Sequence, residues 1–421
     1  MNKQILKLAI PSILANVTIP LVGLVDTAIV GHLSNAIAIG GIAVGTMLFD
    51  WLYWNFGFLR VSTSGLTSQS YGRGEREECS GFLYRSLRIA LIAAIGILLI
   101  QWFFVTAVLY IVPCSEEVAD FAREYFFIRI WASPAALSLM AFKGWFIGMQ
   151  DTVSPMATDI TVNVVNIVAS CALAFWTPLG VMGVAYGTVI AQYTGLMLAF
   201  GILWTKYREY HPFRKEERQV RGDVSLFSLN MNLFIRSLCF MIIYIGFTML
   251  ASYYGDVELA VSAIIMKIMM FFSYFVDGFA YAGEALVGKQ IGEGKSTKEV
   301  VRLLFVWSIG VGLLFTGIHA LWADKCIALL TSDGEVLETA QRYYGWLVAM
   351  PIVSTLAFMW DGVYIGAAEG VKIRNAMIWS AGSFVAVYLG GFTWLGIQAL
   401  YMAYFAHLIA RVVYLSIGWR R

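Results

Sequence analysis

The sequence predicts an all-α membrane protein of twelve spanning helices, built as a duplication of six. Three observations predict it. Of the 421 residues, 59% are hydrophobic and only 13% charged, where a soluble chain carries about 25% charged residues. Twelve apolar stretches are long enough to cross a bilayer, each needing about 20 residues. The segments joining them alternate between basic and basic-poor, and several motifs recur near residue i + ~218.

The twelve stretches are 5–31, 37–62, 84–111, 122–148, 155–176, 181–205, 224–253, 259–288, 301–323, 338–366, 373–394 and 396–418. One set of connections carries Lys3 and Lys7, "YGRGERE" with Arg85 and Arg88, Lys143, the loop 206–222 "KYREYHPFRKEERQVRG", "GKQIGEGKSTKEVVR", "VKIR" and the terminal "RR". The opposite set holds only Arg123 and Lys325 as basic residues. Basic connections stay on the cytoplasmic side, so an even span count with both termini cytoplasmic is expected. The N-terminus runs into a long apolar segment with no small-residue cleavage site, which reads as a retained helix.

Loop 206–222 divides the chain into an N-terminal lobe (1–205) and a C-terminal lobe (223–421). "SQSYGRGE" at 68–75 returns as "GKQIGEGK" at 288–295, and "GWFIGMQDTV" at 144–153 as "GVYIGAAEGV" at 362–371. Both halves start on the same side, so the repeats are parallel. Sites in duplicated transporters tend to lie at the repeat interface.

Several function classes are excluded. The five cysteines form no CxxC, their number is odd, and the four histidines are scattered; no disulfide framework or metal site follows. No GxSxG or HExxH is present, so no enzyme is expected. No basic run lacks interleaved acids, so no nucleic-acid partner is expected.

Ionisable residues inside spans are costly and each needs a reason. Arg60, Glu284, Lys289, Arg302 and Arg411 fall near helix ends, where snorkelling to the interface is the expectation. Asp50, Arg129, Asp159, Arg236, Lys267 and Asp361 lie deeper, and sequence does not say which of them pair; Asp361 and Arg236 are candidates for lining a pathway. Asp26, in "LVDTAIVG", differs. It follows Pro11 by 15 residues, about 22 Å along a helix, and no basic residue lies within a turn or two on its own helix. A carboxylate left unpaired in low dielectric favours its protonated form and can take a proton from one side and release it to the other. Pro11 removes a backbone hydrogen bond and gives the helix a bend. Asn163 and Asn166 share a face of the fifth span, with Ser170 one turn on; Thr188 and Gln192 share a face of the sixth. Together they suggest a polar pocket in the first half, centred on an acid. The seventh span has no counterpart of Asp26 or Pro11 and carries Arg236 instead.

The segments "AIPSILANVTIPLVGLVDTAIVGHL", "NFGFLRVSTSGLTSQSYGRGE", "GWFIGMQDTVSPM", "VDGFAYAGEALVGKQIGEG" and "WDGVYIGAAEGVKIRNAM" resemble the multidrug and toxic compound extrusion (MATE) transporters, most closely their DinF-like branch. The resemblance covers both halves. It implies two pseudo-symmetric six-helix bundles around a central cavity and cation/drug antiport by alternating access in a prokaryotic inner membrane. It implies amphipathic or cationic small-molecule substrates, contact with membrane lipid, a monomer, and no cofactor beyond the coupling ion. By position it assigns protonation to Asp26, the kink to Pro11, and supporting roles to Asn166 and Thr188. Some relatives carry an aspartate where Ser170 stands here. Its absence leaves Asp26 as the expected sole carboxylate of the pocket and leans toward proton coupling, with sodium still open. Two alternatives from the same superfamily are a sodium-coupled exporter and a lipid-precursor flippase. The few deep basic residues disfavour the flippase.

Overall fold

The computed structural model describes residues 1–33, 36–112, 114–210 and 223–419. Loop residues 211–222, most of the expected linker 206–222, lie outside the described residues. Those described form fifteen α-helices: α1 Asn2–Leu33, α2 Ala36–Trp54, α3 Phe58–Arg73, α4 Arg76–Ile111, α5 Glu116–Arg129, α6 Ser133–Gly148, α7 Val153–Trp176, α8 Met182–Lys206, α9 Asp223–Ser252, α10 Asp256–Gly292, α11 Lys298–Ala328, α12 Gly334–Ala340, α13 Tyr344–Gly366, α14 Gly370–Leu395 and α15 Gln398–Gly418. Twelve stretches among them are long and apolar enough to cross a membrane, matching the twelve expected. The surplus helices arise because three spans are interrupted. The second is α2 and α3, broken at 55–57; the fourth is α5 and α6, joined by a 3₁₀ turn at Ile130–Ala132; the tenth is α12 and α13, joined by another at Gln341–Tyr343.

Large apolar side chains point outward. On α4, Leu99, Trp102, Phe103 and Tyr110 are all well exposed, while α3 buries Ser62, Thr63, Ser64, Thr67, Ser68 and Ser70. Lipid makes apolar exteriors inexpensive and obliges polar groups to find partners inside. Thr63 and Ser86 pair accordingly at 2.6 Å between α3 and α4.

The chain forms two compact units, residues 14–226 and residues 1–13 with 227–421. In each, the fourth spanning segment of the half packs on the second through glycine. A Cβ on Gly144 would stand 2.1 Å from the Arg60 carbonyl oxygen, and one on Gly362 2.4 Å from that of Ala280. Each of these helices ends in a left-handed non-glycine residue, Gln150 (φ 62°) and Ala368 (φ 55°). In the second unit Gly278 likewise leaves room for Ala9 and Ile13 of α1.

The first unit adds a tighter seam. Gly41 and Gly45, spaced as small residues at helix interfaces are, admit Phe121 and Tyr125, whose rings a Cβ would meet at 2.4 and 2.7 Å. One turn further, Phe49 stacks on Phe126 at 4.9 Å between ring centres, and Tyr53 pairs with Ser133 at 2.9 Å. These contacts advance together along both helices, so α2 and α5 run parallel.

Candidate functional site

Within the unit 14–226, Asp26 sits on α1 half-buried. Its Oδ1 is shielded from water and has no hydrogen-bond partner. The polar residues expected around it separate into two groups. Asn163 Nδ2 donates to Thr18 Oγ1 at 2.6 Å, and Thr18 in turn donates to the Ala15 carbonyl at 2.7 Å; this ties α7 to α1 two turns from Asp26. Asn166 Nδ2 donates to Thr188 Oγ1 at 3.0 Å, which donates to the Val184 carbonyl. Ser170 is fully buried at the same seam, because a Cβ on Gly187 would stand 2.4 Å from its Oγ. The Oγ of Ser170 and the Oδ1 of Asn166 lack partners. Gln192 is half-buried one turn beyond Thr188. No hydrogen bond joins Asp26 to any of these among the described residues.

Along α1 Asp26 has no cation nearby, as expected; in space it does. Arg129 on α5 interacts electrostatically with Asp26 and also with Asp50 of α2. Its guanidinium lies 4.7 Å from the centre of the Phe49 ring, and its Nη1 donates to Tyr125 Oη at 3.2 Å. Asp50 is thus a second acid that interacts with the same guanidinium as Asp26. Sequence placed Asp50 and Arg129 among the deep charges but could not bring them together, since the pairing depends on the parallel α2–α5 seam. Lys143 and Asp159, by contrast, form their own pair at 2.7 Å.

In the other unit, Asp361 and Arg236 do meet. Arg236 Nη2 donates to Asp361 Oδ2 at 2.6 Å. Arg411 joins them, its Nε 3.0 Å from Asp361 Oδ1 and its Nη2 on Oδ2. The snorkelling expectation for Arg411 fails: it is 1% exposed, two turns inside the end of α15 and facing α13. Asp361 thus accepts from two guanidiniums, an arrangement of strong charge-assisted bonds that leaves little of the carboxylate to offer a solute. Pro11 lies within α1, which runs unbroken from Asn2 to Leu33; the division between the units falls two residues later, after Ile13.

Outside the spans, Asp151 accepts from Lys206 Nζ and Tyr207 Oη, each at 2.7 Å, and from the Ser154 backbone NH and hydroxyl. Burial alone would raise its pKa, but these donors together hold the carboxyl below its ordinary value. Among the described residues no three His, Cys, Asp or Glu side chains cluster as metal ligands do.

Residues 11–172 and 233–389 match the MatE family model. The chain is 35% identical to the DNA damage-inducible protein F of Escherichia coli, over all of this chain and 92% of that protein. It is 23% identical to the probable multidrug resistance protein NorM of Thermotoga maritima, over all of this chain and 93% of that one. The crystal structure of MATE in the bent conformation superposes with a TM-score of 0.88 at 18% identity, covering 99% of this chain and 93% of that chain; this likeness is one of fold.

Proposed function

We propose, since this chain belongs to the MatE family of membrane transporters, that it is a secondary active exporter of amphipathic, often cationic small molecules. It exchanges them for protons by alternating access, and Asp26 is the group that carries the proton. The observation that carries this reading is the shielded, unpartnered Oδ1 of Asp26 on a spanning helix. An intramembrane acid is a functional site by default, and one without a fixed hydrogen bond is free to gain and lose a proton as its surroundings change. Asn163 ties α7 to α1 two turns away, Asn166, Ser170, Thr188 and Gln192 form a second polar group on α7 and α8, and Pro11 removes a backbone hydrogen bond and gives α1 a place to bend. The name of the Thermotoga relative supports the drug-export part. The family is one of transporters, which leaves no enzymatic role to propose.

The same reading puts both termini in the cytoplasm of a prokaryotic inner membrane, with lobes 1–205 and 223–421 joined by linker 206–222, and a monomer as the working unit. In proteoliposomes with an imposed pH gradient, adding a cationic amphiphile dissipates the gradient, and a sodium gradient alone does not drive uptake. Asp26→Asn abolishes the coupled proton movement. Wild-type coupling in that variant would overturn the assignment.

A further inference from the structure

The α2–α5 seam puts a second acid into the same electrostatic circuit as Asp26, and the two acids differ in access. Asp50 is exposed on α2, whereas the Oδ1 of Asp26 is shielded. An exposed carboxylate within a spanning helix is not stable against lipid and belongs on a water-filled face. Arg129, half-buried, interacts electrostatically with both. Its position is fixed by geometry rather than by charge alone: Gly41 and Gly45 seat Phe121 and Tyr125, Tyr125 accepts from Nη1, and Phe49, the neighbour of Asp50, lies under the guanidinium. Side chains tilt toward the N-terminus of their helix. Those of Asp50 and Arg129 therefore tilt toward the end of the unit where α1 finishes, and that of Asp26 tilts back toward them.

The backbone is irregular at the same level. The 3₁₀ turn Ile130–Ala132 begins at the residue after Arg129, and α2 ends at Trp54, one turn after Asp50. Mid-helix 3₁₀ segments often mark hinges. The groups interacting around Arg129 are Asp26 from α1, Tyr53 from α2 and Tyr125 from α5, with Asp50 of α2 facing it and Tyr193 of α8 facing Tyr53. Two carboxylates against one guanidinium leave the group one positive charge short of balance.

We propose that Asp50 docks the positive group of a monovalent cationic substrate, and that Arg129 is a switchable counter-ion shared by Asp50 and Asp26. This rests on Asp26 as the proton carrier. With Asp26 ionised, Arg129 turns toward it and Asp50 is free to hold the cation. When Asp26 gains a proton, Arg129 turns to Asp50 and displaces the cation. One positive charge is missing, so one proton or one cation fills it, and the binding of one opposes the binding of the other.

The test uses the purified full-length chain and tetraphenylphosphonium as the probe, with binding and proton release measured together at mildly acidic pH, where the cation-free site holds its proton. Wild type releases about one proton per cation bound, as linkage between competing sites requires. Asp50→Asn weakens binding about tenfold or more, the scale of losing a partly desolvated charge partner, and Asp50→Glu restores it. Arg129→Gln leaves two uncompensated acids, so the cation binds while proton release falls well below that of wild type; Arg129→Lys retains release. If Arg129→Gln does not fold, the double variant Asp50→Asn/Arg129→Gln has the wild-type charge balance and folds. Wild-type binding and release in Asp50→Asn overturns the inference while leaving the exporter reading in place. Absence of any proton movement in the wild type overturns the exporter reading first.

Discussion

The fourth spans of the two halves share a backbone and oppose each other in charge. "FKGWFIG" ends one and "WDGVYIG" the other, so Lys143 and Asp361 occupy equivalent places immediately before Gly144 and Gly362. Both glycines meet a carbonyl oxygen of their partner helix. Both helices end in the same left-handed turn, closed by the bonds Asp151 N to Phe146 O and Glu369 N to Tyr364 O, at 2.9 and 3.1 Å. The charges diverge: Lys143 pairs with one half-buried acid, while Asp361 is buried between two arginines. Close backbone contact admits one solution, so duplication preserved it. A charge needs only some partner of opposite sign, so each half found its own.

The largest effect expected from breaking this comparison is at Asp361. Asp361→Asn leaves Arg236 and Arg411 facing each other without their shared carboxylate. Breaking a buried pair costs about 3–5 kcal/mol, which would show as loss of monodisperse protein on size-exclusion chromatography. An Asp361→Asn protein as stable as wild type would mean that Asp277, which also interacts with Arg411, is enough to balance the guanidiniums.

Next come the glycines. Gly144→Ala and Gly362→Ala each drive a methyl group into backbone that cannot yield as a side chain would. Overpacking of this kind costs about 1–3 kcal/mol. Thermal unfolding followed by tryptophan fluorescence should show nearly equal losses for the two. Markedly unequal losses would break the equivalence of the halves.

These contacts also show how much the sequence disclosed. Twelve spans and the duplication were legible because lipid imposes a simple length and polarity rule and the glycine motifs recur at a constant offset. Asp26 stood out as an acid within a span because it interrupts an apolar run. The partners of Asp26 were not, since they depend on which helix faces which. Arg129 and Asp50 are 79 residues apart in sequence and meet only through the register that Gly41 and Gly45 allow. Arg411 was misplaced for a related reason: distance from a helix end suggests snorkelling, but the helix face decides, and that face carries Arg411 onto Asp361. The break at 55–57 had a trace in "NFG", and the turn at Ile130–Ala132 in the Ser133-Pro134 pair that starts α6. Both were hidden inside stretches apolar enough to read as single spans.

The acid after each turn gives a smaller and pH-dependent contrast. Asp151 ties the start of α7 to Lys206 and Tyr207, while Glu369 has a looser contact with Lys372 at 3.5 Å. Asp151→Asn should cost about 1–2 kcal/mol, the scale of a lost helix cap; its partner Lys206 is half exposed, so that share is screened. Because the folded carboxyl is held below its ordinary value, its contribution is fully present above about pH 4, the unfolded aspartate value, and fades as pH falls through the folded one. Unfolding curves of wild type and Asp151→Asn should therefore differ at pH 7 and converge in acid. A gap that widens in acid would contradict the assignment.

The smallest effect is at Lys143. Its side chain is 19% exposed and that of Asp159 28%, so both reach water and neither is stranded when the other is removed. Lys143→Met should cost under about 1 kcal/mol, several times less than Asp361→Asn at the equivalent place. The exchange variant sharpens the point. Lys143→Asp puts an acid where the second half has one, but beside Asp159 rather than beside two arginines, and like charges there repel. It should unfold more readily than Lys143→Met, and raised salt should narrow the difference, because screening acts on partly exposed charges. If Lys143→Asp proved as stable as Lys143→Met in low salt, Asp159 would have to be neutralised by some other group. The charge at this position would then be set by the fold rather than by its local partner.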